Sequence, residues 1–172
     1  NMPRDTDFGI FELGMNNFNE ISTLSKLVQP NIAIITNISE AHIGNFNSIK
    51  DIIKAKAEIF NGLKKDGYIL INNDHYYDEI IKYTKNYSQS NVLTYGANKK
   101  ADIRLVNRNK SNNGQKITAE ADGKTYKYEV SLDGQHQAIN SLAVIGSLML
   151  AKCDINEGLS NLDKITLPKG RG

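Results

Sequence analysis

The sequence predicts an α/β fold, a mostly parallel sheet flanked by helices with a small antiparallel sheet appended, and three observations carry that prediction. Short apolar runs near 8–12, 31–38, 68–72 and 92–95 alternate with amphipathic helical stretches, the rhythm of parallel strands joined by crossover helices. From Ala101 onward the pattern turns to period-two alternation broken by Asn113-Gly114 and Asp122-Gly123, which is the mark of antiparallel hairpins. Polar and acidic residues close the early apolar runs, at the carboxyl ends where sheets of this kind receive ligands.

A polar lead-in, Asn1 to Asp7, delivers the chain into Phe8–Gly14, FGIFELG. On a strand, Phe8, Ile10 and Glu12 share one face, so the Glu12 carboxylate falls on a row otherwise fit for burial. Such a carboxylate needs a cation or several donors, although an edge strand with a solvated Glu fits the same pattern. Ile21, Leu24, Leu27 and Val28 then recur at helical spacing up to Pro30.

The second strand, Asn31 to Ile38, is apolar enough to be buried on both faces and runs into Ser39, Glu40, Ala41 and His42. His42 therefore lies just past a strand's carboxyl end, as a site group or as a structural or surface histidine. A helix follows over 48–63, with Ser48 as cap and Asp51 completing the pair. Its apolar stripe is Ile49, Ile52, Ile53, Phe60 and Leu63; Lys56 lies in that stripe and Lys54 points away. An inward lysine either snorkels or is held there by chemistry.

Tyr68 to Asn72 is the third strand, followed by Asn73, Asp74 and His75, with Asp74 a candidate cap for the helix containing Ile80, Ile81 and Tyr83. Val92 to Tyr95 is the fourth, closed by Gly96. After the hairpins a long helix spans 134–152, polar only in its first turns, where His136 and Asn140 share a face. A shorter helix over 155–162 leads to the closing LPKGRG.

The 172 residues, 40% hydrophobic, suffice for one sizeable core and demand no second domain. Basic and acidic residues nearly balance, 21 against 19, without a basic block, so nucleic acid is not a predicted partner. The single cysteine, Cys153, excludes an internal disulfide and reads as a small core residue in a reducing compartment. No apolar run approaches transmembrane length and no signal peptide opens the chain, so the expectation is a cytoplasmic protein without membrane insertion. Glu12, His42 and Asp74 at one sheet edge, with Lys56 on a crossing helix, offer hard oxygens and an imidazole. That donor set suggests magnesium and phosphate rather than zinc and favours an enzymatic nucleotide site over a plain scaffold.

ELG…NEIS, ITNISEAHIGNF, KAKAEIF, INND, GQHQAIN and KGRG occur in the order and approximate spacing of the central domain of the Mur ligases, which the chain resembles over essentially its whole length. The resemblance implies a P-loop-type domain of an ATP-dependent amide ligase of peptidoglycan precursor synthesis. ELG with a following EI, together with KGRG, most resembles the type that adds D-Ala-D-Ala to UDP-MurNAc-tripeptide through an acyl phosphate. By position, it implies that Glu12 and His42 bind Mg2+ and that Lys56 is carbamylated by carbon dioxide, becoming a further ligand, so that these three are the catalytic group. It further implies that His136 and Asn140 lie near the adenine of ATP and that Arg171 contacts the nucleotide.

Two departures are mild: the usual His-Asn pair reads His136-Gln137, and the GEI loop reads Asn19-Glu20-Ile21. A larger one is that no G-x-x-x-x-G-K-[ST] loop occurs in these residues. In the family that loop lies upstream, and further amino- and carboxyl-terminal domains complete the ligase. The chain is therefore expected to be a central-domain fragment, monomeric and inactive alone. Other muramyl ligases, a folylpolyglutamate synthase-like ligase, or a nucleotide-binding or interaction module without catalysis are the alternative readings.

Overall fold

In the computed structural model, which describes residues 3–39, 46–88 and 91–166, strands β1 (Ile32–Ile35), β2 (Tyr68–Asn72), β3 (Val92–Gly96), β4 (Ile103–Ser111), β5 (Gly114–Ala121) and β6 (Lys124–Val130) form one sheet whose spatial order follows the sequence. β1 through β4 run parallel, and β4 through β6 are antiparallel. The predicted fold class is the one observed.

Helix α1 (Glu20–Val28) precedes β1, and α2 (Ile49–Ala57) followed by a 3-10 turn (Glu58–Gly62) links β1 to β2. α3 (Tyr77–Ile80), continued by a second 3-10 turn (Ile81–Thr84), links β2 to β3. α4 (Gln135–Ala151) and α5 (Ile155–Leu159) follow the sheet. The helix predicted over 48–63 is thus two pieces, because the ladder tightens after Ala57.

The step from β3 to β4 has no crossover helix. It needs none, because pairing is confined to Tyr95 with Ile103 and Gly96 with Arg104, so β4 starts beside the end of β3 and continues past it. Asp102 holds the junction, its Oδ2 accepting from the Thr94 amide at 2.8 Å and the Thr94 hydroxyl at 2.6 Å. The β4–β6 ribbon consequently projects beyond the carboxyl edge of the parallel strands. Its β5–β6 hairpin turns on Asp122 and Gly123, both at positive φ (49° and 68°), as the Asp-Gly pair predicts.

Side chains alternate between two cores, one on each face of the sheet. On β2, Leu70 enters the core with α4, together with Tyr95, Ile103, Leu142 and Ile145. Ile69 and Ile71 enter the other, with Ala33, Ile35, Ile52, Ile53 and Phe60 from β1, α2 and its following turn. Gly146 of α4 sits so close to the sheet that a Cβ there would lie 2.8 Å from Leu70 Cδ1 and 2.9 Å from Ile103 Cδ1. Gln115, which donates to the Gly134 carbonyl at the start of α4, pairs with Lys110 near the far end of β4, so α4 begins out beyond the carboxyl ends of the parallel strands.

Two expectations about the first 30 residues are corrected. Phe8–Gly14 is not a strand: no described strand pairs with it, and Phe8, Ile10 and Phe11 are 63%, 98% and 51% exposed. α1 does not bury the stripe Ile21, Leu24, Leu27, Val28 but Ile21, Ser22 and Ser25, leaving Leu27 81% exposed. The reason is proximity, since a Cβ on Gly62 would fall 2.1 Å from the Ser25 carbonyl and only small side chains permit that approach. Cys153 lies just past α4 and is half-buried rather than part of the core.

Candidate functional site

α2 is defined at its start by Ser48, whose Oγ accepts from the Asp51 amide at 3.3 Å and donates to Asp51 Oδ2 at 2.9 Å, the capping pair expected. Ile52, Ile53, Ala55 and Ala57 are buried and Lys54 is exposed. Lys56, near the helix end, is half-buried, and burial holds its ammonium below the ordinary value of 10.5. A depressed ammonium leaves more neutral amine at physiological pH, and the neutral form is the one that attacks an electrophilic carbon.

Glu12 lies on the exposed, irregular segment 8–14. Leu13 and Met15 next to it pack into the core that α2 shares. The following loop is held by two carboxylates. Glu20 accepts from the Asn16 and Asn17 amides at 2.6 and 3.2 Å and from Asn17 Nδ2 at 2.8 Å. Glu58, 9% exposed, accepts from the Asn19 amide at 2.8 Å through Oε1 and from the Ser22 amide at 3.2 Å through Oε2.

His42 lies outside the described residues, but Ile38 and Phe46, four residues to either side, are both buried in the same core. Phe46 meets Phe18 edge-on at 5.2 Å, and Lys54 Nζ stands 5.4 Å from the centre of the Phe18 ring. One core therefore gathers chain neighbours of Glu12, His42 and Lys56. Among the described residues no three His, Cys, Asp or Glu side chains come together as a metal-holding group.

Asp74 departs from the expected group. Its carboxylate does not cap the following helix; Oδ1 accepts from the Ala97 and Asn98 amides, both at 2.8 Å, and Oδ2 from Ala97 at 2.9 Å. It clamps the end of β2 to the end of β3, and Gly96 is required beside it because a Cβ would lie 2.6 Å from Oδ1. Asn72 supports the clamp by accepting from the Asp74 amide at 2.8 Å. Tyr95 spans the same edge, donating to the Ile35 and Thr36 carbonyls at 3.2 Å, and burial, followed by the Asp74 charge, pushes its phenol well up.

His136 and Asn140 are exposed on the first turns of α4, four apart as expected, and Arg171 lies outside the described residues. The start of this helix is anchored by fully buried Gln115, which donates to the Leu132 and Gly134 carbonyls at 2.7 and 3.0 Å and accepts from Arg108 at 3.2 Å. Asp133 pairs with Arg108 at 3.2 Å and accepts from the Gly134 amide. Gln115 and Glu58 escaped the sequence reading. Glu58 carried a signal, an acid inside the apolar run AEIF.

Residues 1–148 match the family model of the Mur ligase middle domain. The UDP-N-acetylmuramoyl-tripeptide--D-alanyl-D-alanine ligase of Rickettsia prowazekii is 35% identical over 99% of this chain, which spans 38% of that relative's length. A MurF crystal structure from Acinetobacter baumannii superimposes with a TM-score of 0.90 over 99% of this chain and 37% of its own, at 22% identity. The MurF ligase of Thermotoga maritima in complex with ADP does so at 0.75 over 91% and 35%, at 20% identity. At those identities the two structures speak for the fold alone. A family match over most of the sequence stands independently of them, and the chain belongs to the Mur ligase middle-domain family.

Proposed function

We propose that this chain is the ATP-using central domain of a peptidoglycan-precursor ligase that joins D-Ala-D-Ala to UDP-MurNAc-tripeptide. Family membership, the name of the 35% identical relative and the ADP held by a similarly folded MurF ligase support the reading. In it, the terminal phosphoryl group of ATP passes to the tripeptide carboxylate, giving ADP and an acyl phosphate. The amine of D-Ala-D-Ala then attacks the acyl carbon, the amide bond forms, and phosphate leaves. The chemistry asks the protein for positioning and charge neutralisation rather than a nucleophile.

The observation that carries the proposal is Lys56, half-buried on α2 with its ammonium disfavoured by burial. Its neutral amine adds to carbon dioxide, forming an N–C bond and releasing a proton, which leaves a carboxylate-like anion where an ammonium would otherwise stand. Glu12, His42 and that carbamate form a hard-oxygen and imidazole set that fits Mg2+, which when bound supplies neutralisation of phosphate charge. His136, Asn140 and Arg171 are assigned to the nucleotide, with α4 presenting the first two beyond the strands' carboxyl ends. We assign the phosphate cradle to a part of the polypeptide outside these residues, and the working form to a cytoplasmic monomer.

The test is Lys56→Ala in the complete ligase, assayed for phosphate release dependent on D-Ala-D-Ala. The expected result is a loss of ~100-fold or more, as for other charge-stabilising groups. Bicarbonate should not rescue the variant, because no amine remains to take up carbon dioxide. Ligation at the wild-type rate refutes the role given to Lys56.

A further inference from the structure

We propose that Glu58 is a positioning residue for the metal site: its buried carboxylate fastens the loop after Glu12 to the turn after Lys56, and so sets how the two segments that supply ligands lie relative to each other. The inference rests on the assignment of Glu12 and Lys56 proposed above.

A carboxylate 9% exposed is costly unless donors meet it, and here the Asn19 and Ser22 amides at 2.8 and 3.2 Å do so at the positive end of α1. A helix start is ordinarily capped by a side chain from its own first turn. Asn19 occupies the cap position of α1 at φ 68° and makes no side-chain cap bond. The anion arrives instead from an element that follows β1 in the chain, the turn that continues α2. A local cap would stabilise α1 without fixing its place, whereas this one ties α1 to a distant element.

The tie is short at both ends. Glu58 is two residues from Lys56, and Asn19 is seven from Glu12. Between Glu12 and Asn19 little slack remains, since Leu13 and Met15 are packed, Glu20 holds the Asn16 and Asn17 amides, and the Phe18 ring contacts Phe46 and Lys54. A shift at Asn19 is therefore passed toward Glu12 instead of being absorbed. Mg2+ accepts oxygen ligands only within a narrow range near ~2.1 Å, so a displacement of a few tenths of an ångström is felt.

The experiment compares Glu58→Gln with wild type in the complete ligase, using Mn2+ as probe without nucleotide. Free Mn2+ is measured by electron paramagnetic resonance, and amide exchange over 16–22 by mass spectrometry. Glu58→Gln should raise the Mn2+ dissociation constant by roughly tenfold, as supporting residues of metal sites do, and quicken exchange at Asn19 and Ser22. Faster exchange with unchanged Mn2+ affinity makes Glu58 a plain helix cap and overturns the inference, as does unchanged exchange. Lys56→Ala and Glu12→Gln are measured alongside. If both bind Mn2+ as tightly as wild type, the metal assignment itself fails and the inference falls with it. If they lose Mn2+ and Glu58→Gln does not, only the inference fails. Should Glu58→Gln not fold, Glu58→Asp, which keeps the charge but is one methylene too short to reach both amides, is read in the same way.

Discussion

Two glutamates hold the loop after Glu12, and their surroundings make them behave differently. Glu58 is buried and acts across elements, whereas Glu20 meets only neighbouring amides. Bonds from the Asn16 amide, then from the Asn17 side chain and amide, hold the Glu20 carboxyl below its ordinary 4.5. A depressed folded-state value means that these bonds stabilise the fold fully above about pH 4.5, and that the contribution fades as pH falls through the lowered value. Glu20→Gln should accordingly lower the thermal midpoint at pH 7, and the gap to wild type should be smaller at pH 3. An equal gap at both pH values would show that the charge is not the source. Residue identity alone did not separate such roles. Asp74 follows an apolar strand as a site carboxylate would, yet its oxygens are taken by the Ala97 and Asn98 amides, which only the meeting of two strand ends supplies.

At the scale of elements, the contact between α1 and the 58–62 turn depends on small groups. Ser25 Oγ donates to the Ile59 carbonyl, Asn61 Nδ2 donates to Ser22 Oγ at 3.1 Å, and Gly62 lies against the α1 backbone. Because an added Cβ at Gly62 would meet backbone atoms at 2.1 Å, which cannot rotate away, Gly62→Ala should cost about 2–3 kcal/mol in urea unfolding. A loss below about 0.5 kcal/mol would mean that the two backbones are not in contact. The same contact explains what was legible. Strands β1 to β3, the Ser48–Asp51 cap and the Asp122-Gly123 turn follow from signals held within a few residues, and each was readable. The buried face of α1 was not, because Leu24 and Leu27 satisfy the helical period better than Ser22 and Ser25, and a close-approaching glycine 37 residues after Ser25 decided the orientation. Phe8–Gly14 failed similarly: alternation is a property of the segment, but a strand exists only where a ladder partner does. Of the candidate site, Lys56 and the His136–Asn140 pair were placed by helical periodicity, whereas Glu58 and Gln115 draw their roles from groups distant in sequence.

Across the whole molecule the sheet separates two constructions. The core on one face holds α4 and, through it, His136 and Asn140; the core on the other face gathers α2 and chain neighbours of Glu12 and His42. Among the described residues the two cores lie on opposite faces of strands whose alternate side chains belong to one or the other, so moderate strain in one core should leave the other largely in register. Gly146→Ala tests this division. Its Cβ would press on Leu70 Cδ1 and Ile103 Cδ1, ends of flexible side chains, so α4 can seat a few tenths of an ångström higher without unfolding. In the complete ligase the variant should raise the KM for ATP several-fold, because His136 and Asn140 ride on the same helix, while Mn2+ affinity measured without nucleotide stays at the wild-type value. Equal losses in both would mean that the sheet transmits the shift and that the two half-sites form one mechanical unit. Glu58→Gln strains the opposite face, so the pair of variants should give complementary outcomes, one moving the nucleotide and the other the metal.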